Sequence, residues 1–205
     1  MIARIRRALV RALAAADPVL VLLVLLAALA ALSVAATWHR EGLTTLPPPR
    51  RVTLTTYESY PRCCTDRRAN QKECRDFSGC EYKGKFKLMG DGVVMPEWWV
   101  RGRNIAAVHS ADASYVGKWV RIAYNNRFHD VKIIDVCSDG DTKNGECTFN
   151  KSKWRPPGRT PTGFLIDLEA NTARRMGFTK GIDEARFTVL SGAPSKLFLS
   201  GTPAY

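Results

Sequence analysis

Two stretches of sequence decide the fold: VKIIDVCS at residues 131–138 and FLIDLEA at residues 164–170. Each combines β-branched and apolar residues with one aspartate, which is typical of a short strand in a sheet. Side chains alternate along a strand, so three apolar side chains of the second stretch share one face: Phe164, Ile166 and Leu168. Asp167 leaves the opposite face. The pattern therefore predicts a carboxylate that lies outside the apolar core and could line a groove.

Further strands are predicted around these two. The same signature occurs at residues 52–57, 105–109, 119–124 and 186–190. One helix is predicted over residues 169–176, because Gly177 stands where a C-terminal cap would lie. Six short strands with one or two short helices indicate an all-β protein built on a small barrel.

The motifs that lead up to the two stretches carry a family resemblance. They are TTY at residues 55–57, AAV at residues 106–108 and GKWVRI at residues 117–122. In this order, the set resembles the double-psi β-barrels of the rare lipoprotein A, expansin and barwin superfamily. The resemblance covers residues 52–190 apart from the segment 58–104. It implies a six-stranded closed barrel with a polysaccharide-binding groove, in proteins that cleave, loosen or only bind wall glycans.

The resemblance gives the two aspartates candidate catalytic roles. Family members that cut glycans use the aspartate at the position of Asp167 as proton donor to the leaving oxygen, which requires a raised pKa. The alternative is that Asp167 caps the helix beginning near Glu169, which would lower its pKa. Asp135 occupies the family's second aspartate position and either lines the groove or terminates its strand.

A second carboxylate is missing from one expected position. In the related family-45 endoglucanases it lies two residues after the T-x-Y tyrosine, where this chain has Ser59, with Glu58 one residue away. An inverting hydrolase needs two carboxyl groups, so this departure disfavours plain hydrolysis. A lytic transglycosylase needs only one, because the sugar's own hydroxyl can act as nucleophile, and Asp167 alone could suffice.

Candidate substrate-binding residues come from two segments. Thr55 and Tyr57 share strand parity and project to one side, where the family places hydroxyls that contact the sugar or the catalytic aspartate. Trp98 and Trp99 could offer flat apolar faces to sugar rings, as could Trp154, although one of two adjacent tryptophans is often part of a core.

The first 38 residues predict a membrane anchor. Residues 19–36 form an apolar run of eighteen, about 27 Å of helix, close to the ~30 Å hydrocarbon core. Four arginines against one aspartate give residues 1–17 a net charge of +3, which predicts a cytoplasmic N-terminus. A transmembrane signal-anchor over residues 18–38 therefore exports the rest of the chain. A signal peptide cleaved after residues 34–36 is the alternative, and it exports the same domain.

The exported part divides into three. A Pro-rich spacer over residues 39–51 would hold the domain away from the membrane. The barrel domain is predicted over residues 52–192, with a cysteine-rich excursion at 58–104 between the first two strands, and residues 193–205 form a C-terminal tail. We refer to residues 58–104 as the excursion.

The cysteines support export. All six follow the apolar run, and their even number suggests disulfides: Cys63, Cys64, Cys74, Cys80, Cys137 and Cys147. Sequence leaves 15 pairings open, and Cys137 with Cys147 is the first guess because it closes a short loop. A zinc site is disfavoured, since no cysteine has a C-x-x-C partner and the histidines are scattered. We predict no metal and no cofactor.

The net charge of the chain limits the classes of partner that it can bind. The chain carries +12, which leaves +9 after the N-terminal +3 and favours an anionic partner. Export argues against nucleic acid, so an acidic polysaccharide, peptidoglycan or the membrane surface is expected. Two functions follow from the sequence. One is a membrane-anchored protein that cleaves, loosens or binds wall polysaccharide, and the other is a non-catalytic structural or adhesion protein of a membrane or particle surface.

Overall fold

The computed structural model describes Leu26, residues 47–142 and residues 145–194. The chain divides into two compact units, Met1–Thr45 and Leu46–Tyr205, and the elements below belong to the second. Apart from Leu26, the predicted anchor at residues 18–38 lies outside the described residues. Within the described residues, no helix has the length and apolarity needed to cross a membrane.

Six strands form in the described part of the chain, as the alternation pattern predicts. They are β1 (Arg50–Tyr57), β2 (Ile105–His109), β3 (Trp119–Tyr124), β4 (Arg127–Cys137), β5 (Leu165–Glu169) and β6 (Asp183–Val189). β4 begins four residues earlier than predicted, because a tight turn joins it to β3. Asn125 and Asn126 both adopt positive φ in this turn, which matches the twist of a two-residue hairpin.

The strands close into a barrel in the order β1-β5-β2-β4-β3-β6. Two neighbouring pairs are parallel, β1 with β5 and β2 with β4, and the other four pairs are antiparallel. Parallel neighbours need long crossover connections, so strands that are adjacent in the barrel are often distant in sequence, as β1 and β5 are. This is the six-stranded closed barrel that the motifs imply.

The barrel interior is filled by one apolar core. It includes the three alternating residues that the sequence assigned to one face, Phe164 directly before β5 and Ile166 and Leu168 within it. Phe164 and Phe187 stack with their ring centroids 4.7 Å apart. Short helices surround the barrel: α1 (Lys72–Asp76), α2 (Glu97–Arg101), α3 (Glu146–Ser152) and α4 (Ala170–Met176). The predicted helix is α4, and Gly177 caps it in the left-handed region as expected.

The excursion packs on the outside of the barrel. A small second core joins Phe86 and Val100 of the excursion to Ile105 of β2 and Ile134 of β4. Two disulfides hold the part with little regular structure, Cys63–Cys74 and Cys64–Cys80. The third disulfide, Cys137–Cys147, is the pairing that the sequence suggested. The described cysteines are therefore all oxidised in the structure.

Candidate functional site

A cavity of about 930 Å³ opens on one side of the barrel. Its floor comes from four strands, through Thr55, Tyr57, Ala107, Asp135 and Asp167. One wall belongs to the excursion, with Phe77, Tyr82, Lys85, Phe86 and Lys87, and the other belongs to α3 and the loop after it, with Glu146, Phe149 and Trp154. Several of the lining side chains are exposed, so the cavity is open to solvent. We call it the groove.

Asp167 lies at the floor of the groove and is only 8% exposed. The parallel register of β1 and β5 places Thr55 beside it, and the Thr55 hydroxyl donates to Asp167 Oδ1 at 2.6 Å. Burial raises the pKa of Asp167 to about 7, and the Thr55 hydrogen bond opposes part of that rise. A carboxyl group with this pKa can hold a proton near neutral pH and still release it, as a general acid must.

The helix-capping alternative for Asp167 is wrong. The N-cap of α4 is Glu169, whose carboxylate accepts the backbone N–H of Asn171 at 2.7 Å. Strand β5 continues to Glu169, so Asp167 lies two residues too early to reach the helix N-terminus. Its carboxylate is therefore available to the groove, and its pKa is raised, whereas capping would have lowered it.

Asp135 reaches the groove because of a β-bulge. The register between β2 and β4 pairs Ala106 with Ile133 but Ala107 with Asp135, so Ile134 is the extra residue. Ile134 enters the second core, and Asp135 lines the groove, where it accepts the backbone N–H of Lys87 at 3.0 Å. Simple alternation would have turned Asp135 into the barrel core.

A small side chain separates the two aspartates. Ala107 pairs with Asp167 of β5 on one side and with Asp135 of β4 on the other, so the three residues form a row across the sheet. The methyl group of Ala107 leaves room above the floor between the two carboxylates. Both candidate catalytic residues of the sequence analysis are thus on the floor of the same groove.

Two hydroxyl groups beside the aspartates are buried without a partner. Tyr57 Oη and Ser59 Oγ are neighbours, but neither has a partner at hydrogen-bond geometry among the described residues. Ser59 is only 5% exposed. Burial raises the pKa of Tyr57 well above its ordinary value, and the nearby charge of Asp135 adds to the rise. A buried hydroxyl is costly to leave unsatisfied, so both groups favour a polar ligand in the groove.

The tryptophans are divided between the groove and other places. Trp98 is 72% exposed on α2 and does not line the groove. Trp99 packs 6.1 Å from the ring of Phe86 and under the guanidinium of Arg103, also outside the groove lining. The predicted sugar-binding pair is therefore not at this site, and Trp154, downstream of α3, is the tryptophan that lines it.

Glu146 is a lining carboxylate that sequence reasoning missed. It begins α3, a seven-residue helix too short to show a periodic pattern. A usable signal existed in the predicted Cys137–Cys147 pair, because that disulfide brings residue 146 back to the end of the strand that carries Asp135. The charge of Glu146 contributes, after burial and Asp135, to the raised pKa of Asp167.

No protein-family model and no curated protein matches this sequence. Among solved structures, the chain is similar to an expansin of Clavibacter michiganensis, with a TM-score of 0.37 and 16% identity over 71% of this chain and 52% of that one. It is similar to a β-1,4-endoglucanase of the blue mussel Mytilus edulis, with a TM-score of 0.41 and 12% identity over 70% of this chain and 79% of that one. The third is the Streptomyces papain inhibitor, with a TM-score of 0.33 and 13% identity over 71% and 97%.

The chain spans about half the length of the expansin that it matches. The closed order of the six strands and the interlaced parallel pairs give the class of the fold, which is a double-psi β-barrel. The six-stranded closed barrel predicted from the motifs is confirmed, and the described residues form four short α-helices where one or two were predicted. The fold class does not identify the function, because one fold can carry many functions. The function must be inferred from the residues of the groove.

Proposed function

We propose that this protein binds a wall polysaccharide in the groove and cleaves it with Asp167 as general acid. The observation that carries the proposal is the buried Asp167 carboxyl, held by Thr55 and with its pKa raised to about 7. The proton on Asp167 is transferred to the leaving oxygen as the glycosidic bond breaks. Thr55 holds Asp167 Oδ1, and the proton transfer is assigned to the second oxygen, Oδ2.

The other features of the groove support an extended carbohydrate. Trp154, Phe149 and Tyr82 offer aromatic faces on its two walls, and sugar rings stack on such faces. Lysines on the excursion wall and the net charge of +9 that remains after the N-terminal +3 favour a polymer with acidic groups, such as peptidoglycan. Loosening of the polymer without cleavage is a second outcome of the same binding, in the manner of expansins.

The proposed location is the outer side of a membrane. The apolar run at residues 19–36 with its preceding arginines supports an uncleaved signal-anchor with a cytoplasmic N-terminus. The three disulfides support an oxidising compartment. In membranes of the producing cell, the protein should resist alkaline extraction and keep its first residues. Release of a form that begins after residue 36 would replace the anchor by a cleaved signal peptide.

Asp167→Asn tests the catalytic part. Asparagine keeps the size of the side chain and can still bond to Thr55, but it cannot donate the catalytic proton. The full chain is incubated with peptidoglycan, cellulose and chitin, and soluble fragments and sedimented protein are measured. We expect wild type to release fragments from at least one polymer, and the variant to release at least about 100-fold fewer while still sedimenting with it.

Two results would change this proposal. Equal release by wild type and Asp167→Asn would remove Asp167 from catalysis. Sedimentation of wild type with a polymer and no release would leave a binding protein, which is the non-catalytic alternative drawn from the sequence. That alternative is favoured by one observation, the serine at position 59 where the family-45 endoglucanases have a second carboxylate.

A further inference from the structure

The groove contains a carboxylate that the family motifs do not include. Glu146 lines it together with Asp167 and Asp135, although it comes from α3 and not from the barrel strands. A hydrolase that uses Asp167 as acid needs a second carboxylate to activate water, and position 59 does not supply one. Of the other four lining carboxylates, Glu58 and Asp91 are exposed to solvent, which leaves Asp135 and Glu146 as the candidates for this role.

Glu146 is held in place through its neighbours in α3. Cys147 is bonded to Cys137 at the end of β4. The backbone N–H of Thr148 donates to Asp139 Oδ1 at 3.0 Å, and the Thr148 hydroxyl lies 2.9 Å from His109 Nε2. The first turn of α3 is thus held to the barrel by one disulfide and two hydrogen bonds. A catalytic side chain requires such a rigid backbone.

The carboxylate of Glu146 is itself available. It makes no hydrogen bond and no ion pair with any residue in the part of the chain that the structure describes. Asp135, in contrast, already accepts the backbone N–H of Lys87 at 3.0 Å. Glu146 is therefore the better candidate to take a proton from water.

A second observation shows that the site is built for a polar ligand. Ser59 is a lining residue of the groove and is only 5% exposed, and its buried Oγ has no partner at hydrogen-bond geometry among the described residues. The neighbouring Tyr57 Oη is also buried and also has no partner at hydrogen-bond geometry among the described residues. Hydroxyl groups of a bound sugar, or the water that attacks it, would satisfy both.

We propose that Glu146 is the second catalytic carboxylate of this groove and activates water for hydrolysis of the glycosidic bond. Glu146 takes one proton from the water, the water oxygen bonds to the anomeric carbon, and the bond from that carbon to the leaving oxygen breaks. The proton of Asp167 goes to the leaving oxygen. One water is consumed for each bond cut, and solvent returns both carboxyl groups to their starting states. This inference rests on the proposed function and adds the reaction class of the cleavage, which is hydrolysis.

Glu146→Gln in the full chain is the test, with Glu81→Gln as matched control because Glu81 is exposed and outside the groove lining. The polymers are peptidoglycan and carboxymethyl-cellulose, and the readout is new reducing ends. We expect wild type and Glu81→Gln to be equal and Glu146→Gln to be at least about 100-fold slower, with little change in sedimentation with the insoluble peptidoglycan.

Azide separates a catalytic role from a structural one. Azide attacks without losing a proton, so it should restore bond cleavage to Glu146→Gln and leave a glycosyl azide as product, while Asp167 still protonates the leaving oxygen. A variant within about threefold of wild type would overturn the inference, and so would a slow variant that azide does not restore.

The products distinguish this inference from the proposed function. Fragments that end in an anhydro ring consume no water, so they would overturn the role of Glu146 and leave cleavage by Asp167 standing. Sedimentation without cleavage by wild type would overturn the role of Glu146 and leave binding. If wild type neither sediments with any polymer nor releases fragments, both proposals fail.

Discussion

The barrel and the excursion are held together by different forces. Seventeen buried residues of the barrel and α4 form one continuous core, and each strand is hydrogen-bonded to two neighbours in a closed sheet. The excursion contributes only two residues to the buried set of the second core, Phe86 and Val100, and depends on two disulfides. The barrel therefore sets the fold and the floor of the groove, while the excursion supplies one of its walls.

Phe187→Ala should have the largest effect on stability. The side chain is 1% exposed and stacks on Phe164, so its removal leaves a cavity in the main core. We expect the free energy of unfolding to fall by about 3–5 kcal/mol, measured by denaturant titration.

Replacing both Cys64 and Cys80 by serine should instead loosen the excursion, with faster amide exchange there and little change in the barrel. A loss of global stability as large as that of Phe187→Ala would contradict the comparison.

Asp167→Asn should show how burial of the Asp167 carboxyl changes the free energy of unfolding as pH rises. Burial raises the pKa of Asp167 from 3.8 to about 7. Below pH 4 both folded and unfolded chains hold the proton, and between about pH 4 and 7 the unfolded chain releases it first, so stability falls with rising pH. The variant lacks this fall and should gain on the order of 1–3 kcal/mol over wild type across that window. Denaturant midpoints at pH 4 to 8, with Glu81→Gln as control, measure it. Parallel curves would contradict the raised pKa.

Gly84→Ala tests how tightly the excursion is built. Gly84 has φ +68°, and an added Cβ would lie 2.5 Å from Tyr60 Oη and 2.8 Å from the Met95 carbonyl oxygen. These two atoms are hydrogen-bonded to each other, so neither moves freely. We expect a local destabilisation of about 1–3 kcal/mol, seen as faster amide exchange in the excursion.

Gly158→Ala is the control for backbone strain. Gly158 has a similar φ of +74°, but a Cβ there meets nothing within 4 Å. It should cost only the strain of positive φ, about 1 kcal/mol. Equal effects of the two substitutions would mean that crowding at Gly84 is unimportant.

Trp98→Ala should have the smallest effect. The side chain is exposed and lies outside the groove lining, so stability should change by less than about 0.5 kcal/mol and sedimentation with polysaccharide should be unchanged. Trp154→Ala, which removes an aromatic face from the groove, should weaken polymer binding. If Trp98→Ala weakens binding more than Trp154→Ala does, the sugar-binding surface extends over α2, as the sequence suggested.

The sequence predicted the strands well because their signal is local. Alternation over five or six residues located the strands, and β2 and β3 have the predicted bounds. The other short helices, including α2 and α3, were not predicted, since five to seven residues span at most two turns and show no reliable period. The tryptophan pair was assigned to sugar binding on residue type alone, and residue type does not say which surface a side chain occupies.

By itself, the sequence determined the strand set, the barrel class, the oxidised cysteines and the strand face that carries Asp167, because each depends on composition or on neighbours along the chain. Only the tertiary structure decided the rest. The bulge at Ile134 turns Asp135 into the groove, Glu169 takes the cap that Asp167 could have taken, and a disulfide brings Glu146 to the same groove. These outcomes depend on contacts between residues far apart in sequence, and no local pattern encodes such contacts.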